Sequence, residues 1–433
     1  MAKQIIIKGT PVVAANEVLV ADSNSKIPAV DGSAVTAMAG GNITGTIPTA
    51  RLDTGTTANK VVILGATGLP AVDGSLLTGI VSYTKSASDP TISTNPATGV
   101  GTEWVNHTTG KQFICTDATA GENVWACSGG GSGDIEPWRY GGSNYGYHMH
   151  SMGPWASSWR DIDKYSYSSD GNATDVGDQL AFTGGFTHSG TQGVTHGYCI
   201  GGANWPPTTN LNRIEKVSFS ADGNAVDVGD LVAAMHGQSG NTSPDKSYGY
   251  AGGGHNGSAV VNTIQKWSHV TDGNATDVAD ILQAAYHMGS ADSATHGYIM
   301  GHGTAGTYQN AIQKWNYSTD ANSTDVSNLT SGGGTECASN DTHVLICENQ
   351  TNIDKFVFAT EVDAVDSGGD LAQARGSGSS SSSVTHGYIA GGQPTGSYVN
   401  TISKFSFTIS SGYDTDVADL TAITGDRCGG FQY

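Results

Sequence analysis

One phrase, written six times, constrains this chain more than any other feature. It occurs as "SNYGYHMH" at Ser143, "THGYCIGG" at Thr195, "KSYGYAGGG" at Lys246, "THGYIMGH" at Thr295, "THVLICEN" at Thr342 and "THGYIAGG" at Thr385. Anchored on Tyr147, Tyr198, Tyr250, Tyr298, Leu345 and Tyr388, the steps are 51, 52, 48, 47 and 43 residues. Each copy is followed by an Ile-x-Lys strand: "IDKYSY" at Ile162, "IEKVSF" at Ile214, "IQKWSH" at Ile264, "IQKWNY" at Ile312, "IDKFVF" at Ile353 and "ISKFSF" at Ile402. A polar turn phrase comes next, "DGNATDVGD" at Asp170, "DGNAVDVGD" at Asp222 and "DGNATDVAD" at Asp272, with relics in "TDANSTDVSN" from Thr319 and "GYDTDVADL" from Gly412. Periods of 40 to 50 residues with several short strands per period are the signature of a β-propeller. Six units predict six blades, or seven if "IEPWRYGG" (Ile135 to Gly142) makes its own strand. The closing "GDRCGGFQY" is expected to complete the first blade and remove an exposed sheet edge.

The order of elements resembles the Kelch repeat, with double glycines at Gly201–Gly202, Gly252–Gly253 and Gly391–Gly392. The resemblance covers about 290 residues. It departs from Kelch in lacking the usual late Trp and in carrying Glu348–Asn349 in place of the fifth diglycine.

Residues 1–83 hold a separate duplication, "IPAVDGSAVTAM" at Ile27 and "LPAVDGSLLTGI" at Leu69. Their apolar bursts are too short to be buried by one copy, so an oligomer is expected. This segment resembles the shaft and attachment segments of bacteriophage tail-fibre and related virion fibre proteins. That resemblance implies a homotrimer attached to capsid, neck or tail proteins of a phage particle. Residues 84–128 predict a small β-module built on the hairpin "TEWVN"/"KQFICT", and 129–134 read as a Gly/Ser linker before the propeller of 135–433. The fold class expected is therefore all-β throughout.

Composition narrows function. Glycine is 61 of 433 residues without a collagen period, as suits a turn-rich β protein. Charged residues are only 13%, and a net charge of −20 argues against nucleic acid and anionic membrane surfaces. No apolar run approaches a membrane span, and "MAKQIIIKG" lacks a secretory h-region. Synthesis in a host cytoplasm followed by display on a released virion reconciles these features. Six cysteines fit no zinc spacing; Cys115 and Cys127 could meet across a hairpin, while Cys199 and Cys347 read as small buried hydrophobes.

The acidic phrase fails the calcium-loop spacing, and its repetition points to structure rather than catalysis. Each unit has one Lys in register (Lys164, Lys216, Lys266, Lys314, Lys355 and Lys404) and one Asp (Asp175, Asp227, Asp277, Asp325, Asp366 and Asp416). A partly buried ammonium needs an anion, so each Lys is expected to pair with an Asp of its own or a neighbouring blade. His196, His296, His343 and His386 share a position and read as packing residues rather than a metal ring. No cofactor, metal or catalytic motif is expected, and the chain reads as a binding protein rather than an enzyme. Trp155, Trp159, Trp205, Tyr308 and Tyr398, on loops of differing length, are the candidate receptor-binding residues for a host glycan or protein. The alternatives are a propeller enzyme such as an oxidase or glycan-degrading spike, and a bacterial surface adhesin.

Overall fold

A computed structural model describes residues 83–129, 138–151, 160–180, 189–204, 209–304, 307–332, 336–347, 351–394, 397–425 and 429–433, with backbone only at 302–304, 307 and 308. The chain divides into two compact units, 1–83 and 84–433. The duplication within 1–83 lies outside the described residues. Those described are all β-strand, turn and loop. No helix among them is long and apolar enough to cross a membrane.

Four strands, Tyr83–Ser86, Glu103–Asn106, Gln112–Asp117 and Val124–Gly129, form a sheet in chain order. Alternation in "QFICTD" sends Phe113 and Cys115 inward onto Trp125, with Trp104 set edge-on to Trp125 at 5.8 Å. Cys115 sits opposite Trp125 and Cys127 opposite Phe113, and no disulfide joins the two. Arg139 ties this module to the repeats, with Nη2 2.8 Å from Glu122 and Nη1 2.6 Å from Asp341.

Each repeat builds one four-stranded antiparallel sheet, and there are six among the described residues. The second sheet is typical: Ser189–Gln192 innermost, then His196–Ile200, Arg213–Ser218 and Val226–Asp230 outermost. The first sheet differs, because its inner strand is Gly429–Gln432, paired with Tyr145–Met149. Thus the expected C-terminal completion is present. Residues 138–142 form no strand; Gly142 makes a single bridge to Ser383.

The inner strands touch in sequence. Ser189–Gln192 meets Ser239–Thr242, which meets Gly289–Asp292, then Glu336–Ser339, Ser379–Ser382 and Gly429–Gln432, which returns to Ser189–Gln192. They approach closely: a Cβ on Gly190 would collide with the Gly430 carbonyl, and one on Gly240 with the Gly190 carbonyl. Apolar clusters fill the spaces between successive sheets. Between the first and second lie Tyr147, Ile162, Cys199, Val217 and Phe219; between the sixth and first lie Tyr165, Tyr167, Tyr388, Ile402 and Leu420. Ile-x-Lys alternation explains the division. In the first sheet, Ile162 and Lys164 face the next sheet while Asp163, Tyr165 and Tyr167 face the preceding one.

Candidate functional site: the turn of the sixth sheet

The turn phrase is a seam between sheets, and it is closed by three contacts. Its first residue has positive φ at Asp170, Asp222, Asp272, Asp320 and Glu361, which aims the carboxylate at the sheet before it. There it meets a lysine: Lys164–Asp222, Lys216–Asp272, Lys266–Asp320, Lys314–Glu361 and Lys404–Asp170, at 2.5–3.0 Å. The third residue, as Asn224, Asn274, Asn322 and Asn172, accepts the backbone N–H of Asp178, Asp230, Asp280 and Asp419 at 3.0–3.1 Å. The next N–H, as in Ala225 to Asp178, returns a backbone bond. An aromatic face supports the cation in three sheets, with Lys164 4.4 Å from the Tyr145 ring, Lys266 4.3 Å from Tyr248 and Lys404 5.8 Å from Tyr388.

These partners correct the expected pairing. Asp175, Asp227, Asp277, Asp325, Asp366 and Asp416 are not the lysines' salt-bridge partners. Asp175, Asp227, Asp325 and Asp366 instead accept the N–H two residues on, inside the bulge of the outer strand. A one-residue bulge turns this Asp back on its own chain. The first acid of the phrase projects from the turn to the lysine instead.

A second contact escaped the sequence reading because it sits at the variable x of Ile-x-Lys. Asp163, Glu215, Gln265, Gln313 and Asp354 accept the N–H of Thr421, Leu180, Val232, Leu282 and Thr330 from the preceding sheet at 2.6–3.1 Å. In the sixth sheet x is Ser403, too short to reach, and Asp414 takes over the bond from Ala372.

The sixth sheet departs elsewhere too. From Phe405 to Asp416 its turn is one residue longer than the equivalent stretch from Tyr165 to Asp175. Ser410 stands where the others carry an acid. Its tip exposes Tyr413 at 68% and, with Asp170 and Lys404, edges a groove of about 410 Å³. Ser406, Thr408, Ser411 and Thr415 offer hydroxyls there, and Ile409 and Val417 an apolar floor. His386 also lines it, its basicity lowered chiefly by burial and by Lys404.

The axis of the sheets is polar. Gln192, Thr242, Asp292, Ser382 and Gln432 lie around a cavity of about 50 Å³ that Tyr140 also lines. Backbone donors bond to the neighbouring side chain in turn, Gln192 to Thr242, Thr242 to Asp292, Ser382 to Gln432 and Gln432 to Gln192. Burial pushes the Asp292 carboxyl up to about 6, against bonds from Tyr317 and Asn241 that favour its ionised form.

Of the expected receptor residues, Trp155, Trp159 and Trp205 and the Tyr308 side chain lie outside the described residues. Tyr398 is half-buried, its ring against Gly425. His196, His296, His343 and His386 each bond through Nδ1 to the preceding Thr hydroxyl at 2.7–2.8 Å. Among the described residues no group of three His, Cys, Asp or Glu is placed to hold a metal. Cys199 and Cys347 are buried in apolar clusters.

No protein-family model matches the chain, and no curated protein matches it in sequence. Among 689 matching solved chains is the structure of YjhT. It is 11% identical, spans 63% of this chain and 98% of its own, and superposes with a TM-score of 0.50. At that identity the likeness speaks to the all-β fold alone.

Proposed function

We propose that this chain is a structural protein of a tailed-bacteriophage particle, whose C-terminal region is a six-bladed Kelch-like β-propeller displayed to hold a host-surface saccharide. The propeller reading is supported by the cyclic order of inner-strand contacts and by a core in each seam. In this reading residues 1–83 trimerise and attach to capsid, neck or tail proteins, on the strength of the "PAVDGS" duplication.

The observation that carries the binding role is the sixth-turn groove, which joins one exposed tyrosine to several hydroxyls. An aromatic face that packs on the C–H surface of a sugar, with hydroxyls and a carboxylate at its rim, is how a flat protein surface recognises a polar ring. Binding is favoured over cleavage because the groove has one carboxylate, Asp170, and Lys404 engages it, whereas glycoside hydrolysis uses two.

A glycan array probed with the full chain and with Tyr413→Ala tests this. Wild type binds a subset of bacterial-surface glycans, and the variant loses at least tenfold in affinity. Equal binding by both would remove the groove from the account. Immunogold imaging of particles with an antibody to residues 143–433 tests the virion location.

A further inference from the structure

The seam between the fifth and sixth sheets is built differently from the other five. Lys355 occupies the register of Lys164, Lys216, Lys266, Lys314 and Lys404, half-buried and facing the sixth sheet. Its seam partner by position is Ser410, whose carbonyl packs on Gly368 of the outer strand. No carboxylate lies within salt-bridge distance of Lys355 among the described residues. The aromatic shelf is missing as well, since Leu345 pairs with Lys355 where Tyr147, Tyr250 and Tyr388 pair with their lysines. A titratable group facing it is His343, which is buried, made less basic by burial and by Lys355, and bonded through Nε2 to the Phe407 carbonyl. Val365, paired with Lys355 on the outer strand, is exposed, and the carboxylate of the exposed Asp366 beside it accepts the Gly368 N–H.

An ammonium that is partly desolvated and lacks an internal anion recruits one from solution. In a chain of net charge −20 this is a local positive site in a negative field. That field disfavours polyanions and leaves room for an isolated carboxylate. We propose that Lys355 binds the carboxylate of an acidic sugar unit, the ligand supplying in trans the anion that Asp222, Asp272, Asp320, Glu361 and Asp170 supply in cis. Only the choice of a sugar as the carrier rests on the reading of the sixth-turn groove; the carboxylate rests on Lys355 itself.

The test compares a galactose oligosaccharide carrying a single galacturonate unit with its neutral oligogalactose counterpart, by calorimetric titration of the full chain at 50 mM salt. Wild type binds the carboxylated probe at least tenfold more tightly than the neutral one. Lys355→Met abolishes that preference and Lys355→Arg retains it. Ser410→Asp places an acid in the seam, competes for the ammonium and lowers affinity for the carboxylated probe at least tenfold without disturbing the fold.

Three outcomes overturn the proposal: no preference for the carboxylated probe, a preference that survives Lys355→Met, or one unaltered by Ser410→Asp. Tyr413→Ala separates this from the groove. If it leaves both probes unaffected while Lys355→Met removes the preference, the groove reading falls and the carboxylate site stands.

Discussion

Five seams of this molecule and the one between the fifth and sixth sheets are built from the same repeat, yet only the five are closed by a lysine and an acid. In those five, one positive-φ residue, one lysine and one backbone cap lock each turn to the preceding sheet. In the sixth turn an added residue moves the acid to Asp414, which serves the backbone of Ala372 and Asp370 instead. The sheets therefore hold together through apolar packing and backbone bonds, and the charged pair is a separable addition. Where it is separable, a turn can be spent on something other than closure.

The largest effect should come from the seam that uses both ends of the repeat region. Removing residues 429–433 strips the first sheet of its inner strand and exposes the edge of Tyr145–Met149. Loss of cooperative unfolding by calorimetry is expected, and a truncated protein melting within a few degrees of wild type would refute the closure.

Next in size is Asp292, the one acid lining the axial cavity among the described residues. Its carboxyl titrates near 6 when folded and near 3.8 when unfolded, so the folded state binds the extra proton between those values. Stability from this group is full below about pH 4 and is lost as pH rises toward 6. Asp292→Asn should therefore be more stable than wild type at pH 7.5, by at most about 3 kcal/mol, and the gain should fade by pH 4. His269 works in the opposite sense. Its basicity is lowered by burial to about 4, so its stabilisation is present at neutral pH and falls away as pH drops from about 6.5. Urea unfolding across pH 4–7.5 should show the variant gaining stability with pH more steeply than wild type.

The cap and the charge pair are smaller. Asn224→Ala should cost about 1 kcal/mol, the scale of one capping bond. Asp222→Asn should cost roughly 0.5 to 1 kcal/mol, since Lys164 and Asp222 are partly exposed. Ser410→Asn, at the matching place in the sixth turn, should cost nothing measurable. Equal losses at 222 and 410 in chemical denaturation would erase the contrast between the seams.

Much of this was legible because repetition exposes register. Six copies of "Ile-x-Lys" and of the tyrosine phrase gave the number of sheets, and Gly429–Gln432 could be matched to a first strand. The lysine's need for an anion was readable from its alternation, but its partner was not. Asp170 and Asp175 are equally spaced from copy to copy, and only the bulge decides which of them looks inward and which outward. The x residue was hidden because Asp, Glu and Gln share a role as backbone acceptors without sharing charge. Tyr413 was not legible as a binding residue because its turn carries no double glycine and no aromatic cluster of the kind that marks the other loops. The signal for it was a single inserted residue in "ISSGYDTDVAD".

The pairing of Gly429–Gln432 with Tyr145–Met149 also fixes a sequence of events at the ribosome. Five sheets can be assembled as they emerge, each docking on the one made before it. The first cannot be finished until nearly 300 further residues have been translated. Through that interval the nascent chain carries Tyr145–Met149 as an open β-edge, so a stalled or clipped product is an invitation to stick to its neighbours.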